Sequence, residues 1–199
     1  MNKFGGWDVA VPRDALPQRI ATAMGGLNKL LGCRYAFVAY LGTQRVNGVN
    51  HAVLAQQRVL TGEDAVNAVV LVFNETQDSL DVALTDVRRV VEAGGPLGGV
   101  KVEMSTEIPL KARSALSAAL AGFTGSKVTP FAYIGAQIVK GVDYVLAAEV
   151  TPVVPNAVPD LALVTVCADG HLEFERLFEV GDADLANKAA LGYAFTWLK

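Results

Sequence analysis

Cysteine and histidine are scarce in this chain, with two of each in 199 residues. Cys33 and Cys167 cannot build the disulfide framework of a small secreted domain, although a single bridge stays open. His51 and His171 fall at unrelated places, and no cysteine–histidine spacing resembles a zinc site, so no metal or cofactor is expected. A basic stripe is also missing. Lysine and arginine total 17 against 20 acidic residues and are scattered, which argues against nucleic acid as a partner. No run of 18 apolar residues suits a membrane span, and the opening MNKFGGWDVAVPRD lacks the apolar core of a signal peptide. The chain as given therefore reads as cytoplasmic, or as secreted if a leader precedes it.

What is abundant is apolar character. A hydrophobic fraction of 52% with 19% charged residues supports one large domain or two small ones without covalent staples. An internal repeat favours two. At an offset of 93 residues, YLGTQRVNGV (Tyr40 to Val49) lies over YIGAQIVKGV (Tyr133 to Val142), with Tyr, Gly, Gln, Val, Gly and Val identical. The same offset sets Gly5-Gly6 on Gly98-Gly99, Val9 on Val102, and AVNAVVLVF on VPDLALVTV. Leu16-Pro17 meets Ile108-Pro109 after a one-residue slip.

Each half reads as a strand, a helix and four strands. In the first half WDVAV is a short strand, and Asp14 is a candidate helix cap. Leu16, Ile20, Met24, Leu27, Leu30 and Leu31 then recur at helical spacing up to Gly32. Two strands joined at Asn47-Gly48, a two-residue hairpin signal, are followed by AVNAVVLVF and SLDVALTDVRRVV. In the second half VKVEM precedes a helix from about Pro109 to Ala121, then VTPFAYIGAQIV, VDYVLAAEV, PDLALVTV and HLEFERLFEV. GGPLGG reads as a flexible linker between the halves and lacks the Gly-Lys-Ser/Thr ending of a phosphate loop. DADLANKAALGYAFTWLK reads as a final helix with Leu185, Leu191, Phe195 and Leu198 on or near one face.

This order of elements, with Gly near its start and Gln-x-Val-x-Gly at the first hairpin, resembles the cystatins, small inhibitors of papain-like cysteine peptidases. QIVKGVDY (137–144) is the closer local match and QRVNGVNH (44–51) the looser one. The resemblance implies an α+β fold of two tandem cystatin-like units, each an antiparallel sheet wrapped on one helix, plus a C-terminal helix. The expected boundaries are 1–93 for the first repeat, 94–99 for the glycine-rich linker, 100–181 for the second repeat and 182–199 for the helix. It also implies a non-catalytic protein-binding module whose leading segment and turns fill a peptidase groove. Carried over by position, the binding residues are Gly5 or Gly6, Gln44, Val46 and Gly48 in the first unit. In the second they are Gly98 or Gly99, Gln137, Val139 and Gly141. The family's second loop commonly carries Pro-Trp, whereas NETQDS (74–79) and CADGH (167–171) hold no aromatic residue.

An alternative role is assembly. YAFVAYL, DYVLAA, AVVLVF and LALVTV are apolar at consecutive positions, so both faces of these strands are expected to be buried. A non-inhibitory structural protein of the same fold would pair through such faces, as a homo-oligomer for example. Among reactive groups, a Cys33–His51 pair lacks a third orienting residue. Cys167 reads as a small core residue, His51 as a strand residue and His171 as an exposed turn residue. Trp7 and Trp197 read as packing residues.

Overall fold

The computed structural model describes residues 6–60, 65–76, 82–94 and 99–178. The final helix expected over 182–199, with Trp197, lies outside them, as do Gly5 and Gly98. The chain divides into two compact units, Met1–Ala93 and Gly94–Lys199.

The first unit runs β1 (Trp7–Val9), α1 (Gln18–Leu27), β2 (Cys33–Arg45), β3 (Val49–Val59), β4 (Val66–Glu75) and β5 (Val82–Val91). Its five strands form one antiparallel sheet in the order β1-β2-β3-β4-β5. The second unit runs β6 (Lys101–Ser105), α2 (Leu110–Ala119), β7 (Ser126–Ile138), β8 (Val142–Pro152), β9 (Asp160–Val166) and β10 (Leu172–Arg176). Its sheet follows the same plan, β6-β7-β8-β9-β10, again antiparallel. The described residues are thus an α+β, sheet-rich arrangement of two sheets and two helices.

The register repeats in detail. β2 and β3 slip between Phe37 and Ala39 and again between Tyr40 and Gly42. β7 and β8 slip between Pro130 and Ala132 and between Tyr133 and Gly135, at the same 93-residue offset. The identical glycines of the two decamers explain one of these sites. A Cβ on Gly42 would enter the carbonyl oxygen of Asp8 on β1, and a Cβ on Gly135 would enter that of Lys101 on β6. The first strand of each unit crosses its long neighbour so closely that only glycine leaves room.

One face of each sheet packs on its helix. Ile20 and Met24 of α1 meet Tyr40, Val53, Ala55, Val69, Leu71 and Phe73. Ala112 and Leu116 of α2 meet Tyr133, Leu146, Ala148, Val164 and Val166. Fully burying such aliphatic side chains contributes about 1.5–3 kcal/mol each before entropy is counted. Strand alternation sets Ala52, Leu54, Ala68 and Val70 on the opposite face of the first sheet, and they are buried as well.

Three local expectations need correction. α1 stops at Leu27 rather than at Gly32, leaving Leu31 98% exposed and Leu30 also exposed. The cause is Asn28, whose Oδ1 accepts the Tyr35 amide at 2.7 Å while its Nδ2 donates to the Tyr35 carbonyl at 2.8 Å. These bonds turn the chain into β2 before the apolar spacing runs out. Asp14 does not cap the helix either: Pro17 occupies the cap position, with no side-chain cap bond, as Pro109 does for α2. The first hairpin spans three residues, not two. Arg45 pairs with Val49, so Val46, Asn47 and Gly48 form the loop, with Asn47 at φ 48° and Gly48 at φ 108°. Likewise Ile138 pairs with Val142 around Val139, Lys140 and Gly141. At the linker, the backbones of Gly94 and Gly99 approach until a Cβ on either would overlap the other, and the Gly94 amide donates to the Val100 carbonyl at 3.3 Å.

Candidate functional site

The residues singled out by the repeat gather at one end of each sheet. In the first unit Trp7 pairs with Gln44, so Gly6 lies beside the base of the hairpin. Val49 pairs with Glu75, and a Cβ on Gly48 would overlap the Glu75 carbonyl oxygen and crowd Thr76. The leading strand, the hairpin loop and the end of β4 are therefore neighbours. In the second unit Lys101 pairs with Ala136, which sets Gly99 and Val100 beside Gln137 and Ile138. A Cβ on Gly141, at φ 143°, would collide with the Ala168 side chain in the β9–β10 turn. Glycine is required at both tips because the next turn leans against them, and at these angles an L side chain would be strained.

The two tips differ in what they leave free. Gln44 is committed to a ladder across three strands: Asn50 Nδ2 donates to Gln44 Oε1 at 3.0 Å, and Asn74 Nδ2 donates to Asn50 Oδ1 at 2.7 Å. Val46 is 45% exposed. At the second tip Ile138 is 78% and Val139 59% exposed, with Val142 partly exposed beyond them. Val46 and Val139 are thus loop residues with solvent-facing side chains. Gly6 has open space around it, so nothing in its surroundings demands a glycine.

Two polar clusters were not legible as clusters. The first lies under the helix of the first unit. His51 is buried, its Nδ1 lies 2.7 Å from the Tyr40 hydroxyl, and its Nε2 lies 3.4 Å from Glu75 Oε2. Glu75 in turn pairs with Arg19 of α1. Burial, reinforced by the Glu75 charge, pushes the Tyr40 hydroxyl up to about 12, so it stays protonated and donates. That assigns Nδ1 as acceptor and places the ring proton on Nε2, which lies near Glu75 without forming a hydrogen bond. Burial lowers the His51 pKa, against a smaller upward pull from Glu75. The chain Tyr40–His51–Glu75–Arg19 ties three strands to the helix. Cys33 has no part in it, since it pairs with Val59 at the far end of the same strands.

The second cluster occupies the turn between β9 and β10. Cys167, expected in the core, is only partly buried and shares this turn with Asp169 and His171. Asp169 Oδ1 lies 2.5 Å from His171 Nδ1 and also accepts the His171 amide at 3.1 Å. Glu173 Oε1 lies 3.4 Å from His171 Nε2. Desolvation first, then the carboxylates of Glu173, Asp143 and Asp169, pushes the Cys167 thiol up to about 11. The hydrogen bond to Asp169, then that to Glu173, raises His171. Elsewhere in this unit a cavity of about 490 Å³ opens at the start of α2, walled by Glu103, Glu107, Arg113 and Tyr133 among others.

No helix among the described residues is long and apolar enough to cross a membrane. Comparisons with protein-family models, curated proteins and solved structures returned no match.

Proposed function

We propose that the chain is a protein-binding module of two tandem cystatin-like units that engages its partner through the hairpin tips, with a papain-like cysteine peptidase as the partner class. The observation that carries this reading is the pair of exposed apolar residues at the second tip, Ile138 and Val139, flanked by the leading segment and the following turn. Apolar side chains at the tip of a narrow, glycine-shaped loop suit a concave groove, where they lose water without presenting a bond for cleavage. Shared strand order and shared register slips support descent of both units from one ancestor. The absence of an aromatic residue in CADGH moves the contact energy onto the hairpin itself.

Titrating an active papain-like peptidase with the whole protein tests the reading. Stoichiometric inhibition is expected, and the double change Ile138→Asp with Val139→Asp weakens it tenfold or more, a loss of about 1.4 kcal/mol. Full peptidase activity in a large molar excess of folded protein would overturn the proposal.

A further inference from the structure

We propose that the β9–β10 turn of the second unit binds one divalent transition-metal ion of the zinc class, held by the Cys167 sulfur, an Asp169 carboxylate oxygen and a His171 ring nitrogen. Those three donor atoms all lie within 4.8 Å of one another. In a tetrahedral site with metal–sulfur and metal–nitrogen bonds of about 2.3 and 2.0 Å, neighbouring donors stand roughly 3.5 Å apart. Side-chain rotation is enough to load the ion: the widest donor pair closes by ~1 Å, while Asp169 Oδ1 and His171 Nδ1, 2.5 Å apart, open by a similar amount.

The backbone is already built for this. Leu172 pairs with Val166, and the Cys167 amide donates to the His171 carbonyl at 3.0 Å, which closes the turn on itself. The Gly170 amide donates to the Cys167 carbonyl at 2.9 Å, with Gly170 at φ 90°. Asp143 Oδ1 accepts the Ala168 amide at 2.8 Å and anchors the turn to β8. Cys167, Asp169 and His171 thus alternate along a loop fixed at both ends and at its middle.

An outer partner is in place too. With Nδ1 facing Asp169 and the ion, the opposite ring nitrogen faces Glu173, which would hold the ring and its tautomer as second carboxylates do in metal sites. Three acidic side chains, Asp143, Asp169 and Glu173, make the turn electronegative. A sulfur–nitrogen–oxygen donor set selects zinc, cobalt or copper over magnesium and calcium, which prefer oxygen alone. Three protein donors also leave a fourth position for water or a partner's group. The first unit has Asn74, Thr76 and Asp78 at the positions 93 residues earlier, so the repeat does not carry this donor set into the equivalent turn. Loading transfers the Cys167 thiol proton to solvent as the sulfur–metal bond forms.

Titration of the whole protein with cobalt(II) tests the site without reference to any peptidase. The expected result is a thiolate-to-cobalt charge-transfer absorption that saturates at one ion per chain. Zinc should abolish it and magnesium should leave it unchanged. Cys167→Ser should remove the band and Cys33→Ser should retain it. His171→Ala should weaken binding at least tenfold. Glu173→Gln should weaken it by about tenfold while the band is kept. Circular dichroism identifies any variant that fails to fold, and Cys33→Ser then supplies the comparison. No saturating band at excess cobalt, or a band that survives Cys167→Ser, would overturn the proposal.

Discussion

At the scale of single residues, the repeated decamer separates into positions with different physical duties. Tyr40 and Tyr133 are core residues, while Gly42 and Gly135 give passage to the first strand of each unit. Adding a methyl group tests that passage. Gly42→Ala combines a clash with the Asp8 carbonyl and a φ of 154°, and should cost about 2–4 kcal/mol. Gly135→Ala carries the clash alone and should cost about 1–3 kcal/mol. Urea denaturation of the two variants measures both values and their order.

His51 gives a second test at this scale. Its neighbours are Tyr40 from β2, Glu75 from β4 and Arg19 from α1. Burial lowers its pKa in the folded state, so below the unfolded value of about 6.5 the unfolded chain takes up a proton that the folded chain refuses. The contribution is therefore fully present above about pH 6.5 and is lost as the pH falls through and below that value. Melting temperatures of wild type and His51→Gln between pH 8 and pH 5 should show a steeper acid-side fall in the wild type. Parallel profiles would contradict the assignment.

At the scale of elements, the helices and strands were legible because apolar spacing survives without tertiary knowledge. Ile20 and Met24, like Ala112 and Leu116, sit one helical turn apart and face a sheet. Their ends were less legible, because a bond to backbone seven residues further along decides where α1 stops. Leu30 and Leu31 continue the helical spacing, yet Asn28 bonds both polar groups of the Tyr35 backbone and ends α1 first. Asn28→Ala should cost about 1–3 kcal/mol, measured by denaturant unfolding, because it removes two hydrogen bonds together. Gly25 lies exposed inside α1 with open space around its Cα, so Gly25→Ala should stabilise by about 0.5–1 kcal/mol in the same assay.

The polar clusters were hidden for a different reason. Tyr40, His51 and Glu75 come from three strands and meet only through register, which no local pattern reveals. Cys167, Asp169 and His171 alternate within five residues, a spacing that could have been noticed. It carries no helix or strand signature, because a tight turn brings its members together.

At the scale of the whole molecule, two units built to one plan present different ends. The first tip is stitched down by the Gln44–Asn50–Asn74 ladder, whereas the second exposes Ile138 and Val139 beside a turn with metal-binding chemistry. Under the proposed function, this difference ranks the units. Val139→Asp should weaken partner binding more than Val46→Asp, with calorimetry against one peptidase preparation measuring both. Equal losses would mean that both tips share the load.

Hydrogen exchange on the complex with a papain-like peptidase addresses the central claim most directly. New protection is expected at residues 137–142 and at 167–171, with α1 and α2 unchanged. Protection confined to either helix, with both hairpin tips exchanging as in the free protein, would contradict it.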